Sequence, residues 1–352
     1  MTEISKTAPV LVTGASGYIA GWIVKYLLEA GHTVHGTVRD PAKPKGLEHL
    51  KALSDAHPGR LKLFKADLLT PGAYDAAMQG CELVMHTASP FIITGFTDAN
   101  EALVRPAVEG TRNVLESCNR VASVKRVVLT SSVAGIFGDN ADLKAVPGGV
   151  FTEEHWNTSS SVSHQPYSYS KVAAEREAWK IQKAQSRWDL VTINPALVLG
   201  PSLARSSAST SISTMKQLGN GTMRAGAPKL VMGVVDVRDV AQAHILAGYN
   251  PAAEGRHIVC AGERSLLQLG TVLRGKFPQY PFPRKETPTF LVWLVAPLAR
   301  LQRSFVRQNV GLPLRIDNRR SREKLGLSYR PIDQTVVEHF QQMIDDGLMR
   351  RR

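Results

Sequence analysis

Tyr167 and Lys171 stand one helical turn apart in Gln165-Pro166-Tyr167-Ser168-Tyr169-Ser170-Lys171, and the helix-forming run Val172-Ala173-Ala174-Glu175 follows. A spacing of four puts a phenol and an ammonium on one helix face. An ammonium so placed stabilises phenolate and draws a tyrosine from its usual pKa of about 10 toward neutrality. That suits a general acid working near pH 7. Tyr169, two residues on, falls on another face. A packed tyrosine beside a solvated lysine would have the same spacing, so the pair gains weight only from residues upstream. Ser132 closes Arg126-Val127-Val128-Leu129-Thr130-Ser131-Ser132, which reads as a strand. Its carboxyl end is where open α/β sheets bind ligands, which makes Ser132 a candidate donor to an oxyanion, although serines also end strands as turn formers.

These side chains need a scaffold, and the stretch from Val10 to Asp40 supplies its signature. Val10-Leu11-Val12 suits a buried parallel strand, Ile19, Ile23, Tyr26 and Leu27 recur at helical spacing, and a second strand ends at Thr37-Val38-Arg39-Asp40. Between them lies Thr13-Gly14-x-x-Gly17-x-x-Ala20. Gly14 permits a sharp turn, Gly17 leaves no Cβ in the way of a pyrophosphate, and a small residue at 20 allows close helix–strand packing. A dinucleotide is expected here, with Thr13, Gly14, Ser16, Gly17, Tyr18 and Ile19 around its phosphates at the helix N-terminus. At the second strand end an acidic residue would take the ribose of NAD, whereas an arginine pairs with the 2′-phosphate of NADP. Arg39 precedes Asp40, so NADP is expected, with Arg39 as the clamp, Lys45 or Lys43 sharing it, and Asp40 turned to solvent before Pro41.

Further along, Leu61 to Leu68 alternates as a third strand. Asp67 and the backbone of Leu68 are candidates for the adenine edge, and Asp67 is equally a helix cap for the segment near Pro71. A fourth strand, Leu83 to His86, opens into Thr87, Ala88 and Ser89, small enough for a ribose and nicotinamide to lie against the backbone. A helix is expected from about 101 to 121.

The chain has 352 residues, 43% hydrophobic and 21% charged, with a net charge of +13. Those are globular values, with length for a large core and a smaller lobe. Residues 1–9 leave no room for a signal peptide ahead of the first strand, so a cytoplasmic location is expected. Cys81, Cys118 and Cys260 have no metal-ligand spacing and are assigned to packing. From residue 300 onward eleven Arg and one Lys face six acidic residues. Steering of a polyanionic cofactor accounts for such charge; nucleic acid is the alternative, but no known nucleic-acid motif is present.

Taken together, Thr13-Gly14-x-x-Gly17-x-x-Ala20, Thr130-Ser131-Ser132 and Tyr167-x-x-x-Lys171 resemble the extended short-chain dehydrogenases/reductases. Thr37 to Pro41, Lys65 to Leu68, His86 to Pro90 and Asn194 to Pro201 are similar to the dihydroflavonol reductase, cinnamoyl-CoA reductase and microbial carbonyl reductase group, over residues 9 to 346. The resemblance implies an α/β fold, a Rossmann doubly wound parallel sheet with a smaller C-terminal α/β substrate lobe. Residues 1–200 with a return segment 231–260 would bind NADPH, and 201–230 with 261–352 would bind substrate. It implies Ser132, Tyr167 and Lys171 as the catalytic set, with Lys171 also on the nicotinamide ribose, and adds Thr130, Pro195, Leu197 and Val198 to the cofactor site. A small-molecule carbonyl substrate is implied, in a monomer or homodimer.

Two positions depart from the family. Ala107 stands where many members carry an Asn of the proton relay. Phe137 stands where plant dihydroflavonol reductases grip the flavonoid, and the Tyr167 region lacks the longer cinnamoyl-CoA reductase signature. Phe91, Ile92, Phe96, Phe137, Leu197 and Trp293 are candidate pocket linings and suggest an apolar, aromatic ketone or aldehyde. A nucleotide-sugar epimerase or dehydratase, a hydroxysteroid dehydrogenase and a non-catalytic NADP sensor are the rival readings. Residues 202–228 read as a mobile loop, Arg238 and Asp239 as an interdomain ion pair, and 317–327 as closing the substrate lobe. The apolar run 290–301 is too short to span a bilayer. It reads as a buried or pocket-lining helix, with an interfacial membrane helix as the alternative.

Overall fold

The structure, a computed structural model, describes residues 2–89, 98–204, 210–299 and 301–349. Seven parallel strands build the main sheet: β1 (Val10–Thr13), β2 (Val34–Val38), β3 (Leu61–Lys65), β4 (Leu83–His86), β5 (Arg126–Thr130), β6 (Asp189–Pro195) and β10 (Gly255–Val259). Their order is β10-β6-β5-β4-β1-β2-β3. The chain runs outward from β1 to β3, then crosses to β4 on the other side of β1. That reversal opens a crevice at the carboxyl ends of β1 and β4, the place where doubly wound sheets take ligands.

Buried strands whose side chains alternate between the two faces of the sheet explain the two layers of helix. Val10 and Val12 pack with α1 (Tyr18–Glu29) and α7 (Val237–Tyr249), through Ile23, Val24, Leu27, Val240 and Ala243. Leu11, pointing the other way, packs with α3 (Asp75–Met78), α4 (Arg105–Arg120) and α5 (Pro166–Lys183), through Met78, Val114, Leu115 and Ala178. Each such fully buried aliphatic side chain contributes about 1.5–3 kcal/mol. α2 (Glu48–Ala56) lies against α1 with one buried residue, Leu50. A π-helical turn, Asn100–Val104, leads into α4.

A second sheet, β11-β9-β7, comprises β7 (Leu197–Leu199), β9 (Val231–Asp236) and β11 (Gly262–Ser265), and β8 (Ala227–Pro228) pairs with β12 (Glu286–Thr287). Around them α6 (Thr210–Gly219), α8 (Leu266–Lys276) and α12 (Ile332–Asp345) enclose a third core of Met215, Leu218, Val234, Leu273 and Phe340. α9 (Thr289–Val295), α10 (Arg303–Asn309) and α11 (Arg319–Leu325) complete the described elements.

Four expectations change here. The segment 202–228 is not a plain loop, since Met215 and Leu218 fold it as α6 onto the third core. Residues 317–327 do not close the smaller lobe: Leu325 and Leu327 are buried in the main core beside β10 and α7. Arg238 and Asp239 do not pair with each other. Arg238 reaches Asp236 and Glu338 at 2.6 Å each, and Asp239 pairs with Arg330, because the C-terminal segment brings Glu338 to the one and Arg330 to the other. The described residues of 290–301 are exposed rather than buried, with only Val292 and Ala296 among them turned inward.

Candidate active site

At the β1/β4 crevice a cleft of about 1140 Å³ runs across the carboxyl ends of the strands. Gly14, Ser16, Gly17, Tyr18 and Ile19 form one wall, Arg39, Lys43 and Lys45 one end, and Ser132, Tyr167 and Lys171 the other, with Pro195, Leu197 and Val198 beside them. Gly14 sits at φ +63°, and a Cβ there would lie 3.2 Å from Ala88. Only glycine suits both the left-handed turn and that approach. The first turn of α1 has no side-chain cap and no acidic residue, so its N–H groups stay available to an anion. This uncapped, Cβ-free cradle fits a dinucleotide pyrophosphate. Arg39 is exposed at the cleft's end, while Asp40 also lines the cleft rather than turning away, its carboxylate held by the Ala42 N–H at 3.1 Å and by Lys43 at 3.6 Å.

Ser132 caps the 3-10 turn Val133–Gly135, accepting from the Ala134 N–H at 3.1 Å. Accepting fixes the oxygen and leaves the O–H to donate into the cleft. Ser131 differs: its hydroxyl donates to Glu175 at 2.5 Å. Lys171 Nζ donates to Ser89 Oγ at 2.8 Å and lies 5.5 Å from the centre of the Tyr167 ring. Burial pushes the Tyr167 phenol up to about 12 and the Lys171 ammonium down to about 8. The expected depression of Tyr167 is therefore absent, because desolvation outweighs the ammonium at this distance and the ammonium's direct partner is Ser89.

Several expected site residues lie behind the cleft wall. Thr13 is buried, and its hydroxyl oxygen accepts from the N–H groups of Thr87 (3.1 Å) and Ala88 (3.0 Å). Its proton then goes to His86 Nδ1 at 2.9 Å, and burial holds His86 neutral, at about 3. Thr87 lines the cleft, and Ala88 lies under Gly14. Thr130 reaches the cleft, but its hydroxyl donates to His244 Nε2 at 2.6 Å. Asp67 is exposed and caps the Leu69 N–H at 2.9 Å, and Leu68 packs against Gly110 of α4. Neither lines the cleft, because the turn after β3 carries them away from it. Phe137 stacks on Phe151 with ring centres 4.4 Å apart and is not among the described residues that line the cleft. Trp293 stands on exposed α9, under Arg303 at 4.3 Å. Phe91, Ile92 and Phe96 lie outside the described residues.

Behind the serines is a buried network that composition gave no reason to single out. Glu175, one turn after Lys171, accepts from Ser131, from Asn194 at 2.9 Å and from Arg256 Nε at 2.6 Å. Asn194 also donates to the Ser132 carbonyl at 3.1 Å, and Arg256 to the Gly135 carbonyl at 3.0 Å. One carboxylate thus ties the helix bearing Tyr167 and Lys171 to the turn bearing Ser132. Gln165, the residue before Pro166, sits in the left-handed region at φ +53°. Its amide donates to Gly138 O and Asp139 Oδ1 at 2.8 Å each. Proline disfavours the helical conformation for the residue before it, which was the available sequence signal.

These features define a dinucleotide-dependent oxidoreductase site on a Rossmann sheet, and comparison with known proteins agrees. The chain belongs to the NAD dependent epimerase/dehydratase family, whose model matches residues 10–261. It is 44% identical over 279 residues to cinnamoyl-CoA reductase CAD2 of Medicago truncatula, covering 78% of this chain and 83% of that one. It is 40% identical over 283 residues to tetraketide alpha-pyrone reductase 1 of Arabidopsis thaliana, covering 78% and 83%. Among solved structures, Gre2 of Candida albicans in complex with NADPH superposes with a TM-score of 0.77 at 30% identity, covering 96% and 99%. Among the described residues there is no cluster able to hold a metal ion and no helix long and apolar enough to cross a membrane.

Proposed function

We propose that this chain is an NADPH-dependent carbonyl reductase acting on apolar, aromatic ketones or aldehydes. The observation that carries the reading is the convergence of Ser132, Tyr167 and Lys171 on the cleft that the uncapped α1 N-terminus also faces. When bound, NADPH supplies the hydride that reduces the carbonyl carbon. Arg39 and Lys45 hold its 2′-phosphate, and the amides from Gly14 to Ile19 hold its pyrophosphate. Lys171 holds the nicotinamide ribose. Tyr167, protonated at neutral pH, gives its proton to the carbonyl oxygen, and Ser132 donates a hydrogen bond to the same oxygen as charge develops there.

The sheet order separates the two ends of the cleft. Arg39, Lys43, Lys45 and Lys65 follow β2 and β3, whereas Val133, Leu197 and Val198 follow β5 and β6. The basic end suits the cofactor's phosphates. The apolar end suits a hydrocarbon group rather than a sugar, which argues against a sugar-nucleotide substrate. NADPH oxidation against aryl ketones, aryl aldehydes, a dihydroflavonol and a cinnamoyl thioester tests the reading. Turnover of a ketone or aldehyde supports it, whereas turnover of the thioester alone would move the reading to acyl reduction with release of the thiol. Binding of NADPH with no turnover, together with a thermal shift by a UDP-sugar, would replace it.

A further inference from the structure

Residues 287–316 contain four arginines, Arg300, Arg303, Arg307 and Arg315, and neither Asp nor Glu. This stretch forms α9 and α10, whose facing sides meet through Val292, Ala296, Val306 and Val310, a small cluster apart from the three main cores. What α9 and the turn after it direct outward is apolar. Phe290 is 69% exposed, Leu294 58% and Leu298 88%, and Leu291, Val295 and Leu301 are open as well. Phe290 and Leu294 stand one helical turn apart on α9, and Leu298 follows in the turn after it. Arg303, Arg307 and Arg315 are all exposed nearby.

Contiguous apolar surface of this kind marks a binding face. From Phe290 through Ala299 the only side-chain hydrogen-bonding atom is Trp293 Nε1. A protein partner's interface carries a polar rim and regular hydrogen bonds, which this ridge could not return, whereas lipid tails ask for none. The acid-free arginine border complements anionic headgroups, and the Arg303–Trp293 stack pairs the side-chain types that settle at that level. We propose that the ridge from Phe290 to Leu301 is an interfacial anchor that seats this protein on an anionic bilayer surface, its leucines among the acyl chains and Arg303 and Arg307 at the headgroups. Asn309, closing α10, donates to Asp139 at 2.6 Å, so the anchor is bonded to the same region that holds the start of α5. The proposal does not depend on the reductase reading.

The test is flotation of the full chain with vesicles of phosphatidylcholine alone and of phosphatidylcholine with phosphatidylserine at roughly 7:3, with and without about 0.5 M salt. The chain is expected to float with the anionic vesicles only and to be released by salt. Leu294→Asp and Leu298→Asp should abolish flotation, and Arg303→Gln should weaken it about fivefold. Because these side chains are exposed, the variants should keep the wild-type melting temperature and NADPH binding, which separates loss of anchoring from loss of fold. Failure of the wild type to float, or aspartate variants that float like it, would overturn the proposal. So would a concentration-dependent dimer that Leu298→Asp converts to monomer, which would assign the ridge to a second copy.

Discussion

Burial pushes the Tyr167 phenol up to about 12, so it stands protonated at neutral pH with its proton in place for the reducing direction, although as a weaker acid than an ordinary tyrosine. Tyr167 itself therefore adds no pH limit below that value, and Lys171 does. Its folded value of about 8 lies below the ordinary 10.5, so the ammonium is lost as pH rises through about 8. The rate constant kcat/KM for carbonyl reduction should accordingly fall above about pH 8, as a pH profile would report. Stability moves the other way: between the folded and unfolded values the unfolded chain binds more protons, so this group's contribution rises with pH there. Ser132→Ala should lower kcat about 100-fold, as loss of one oxyanion donor does, with little change in NADPH affinity. Arg39→Ser should raise the KM for NADPH about tenfold or more and leave that for NADH nearly unchanged, measured by steady-state kinetics with each cofactor.

At the scale of elements, the glycine turn, the strands and the Tyr167–Lys171 spacing were legible because each is local: residue type and interval carry the physics. The Glu175 network was not. A glutamate in Val172-Ala173-Ala174-Glu175 reads as a helix former, and only the approach of β6 and β10 reveals Asn194 and Arg256 around it. Glu175→Ala would leave Arg256 buried without its counter-ion and should cost about 3–5 kcal/mol of unfolding free energy in a denaturant titration. Glu175→Gln, which keeps the shape and one of the two accepting oxygens, should be the milder change, with kcat falling more than NADPH affinity if the network positions Ser132. Phe137 shows the opposite difficulty. Its position after Ser132 suggested a pocket wall, and its stacking on Phe151 against the main core could not be read from that position.

Over the whole molecule, the doubly wound sheet was legible from its alternation of strand and helix, and the cleft position followed from the strand order. The C-terminal segment was less so. Its contacts to the start of α7 are a Thr335 hydrogen bond to Asp236, a Glu338 ion pair to Arg238 and an Arg330 ion pair to Asp239, each from about a hundred residues away in sequence, and no local pattern announces such partners. Hydrophobicity alone also misplaced 290–301, because an apolar run says that water is avoided and not what replaces it. The net charge of +13 has its own consequence. If it steers a polyanionic cofactor, the association rate of NADPH measured by stopped-flow fluorescence should fall steeply as salt is raised, while its dissociation rate changes little.

The most direct measurement compares wild type and Tyr167→Phe on the best carbonyl substrate at saturating NADPH, with cofactor binding followed by fluorescence in both. NADPH binding should persist while turnover falls at least about 100-fold in the variant. Equal turnover in the two proteins, with the cofactor bound in each, would contradict the role of Tyr167 as proton donor.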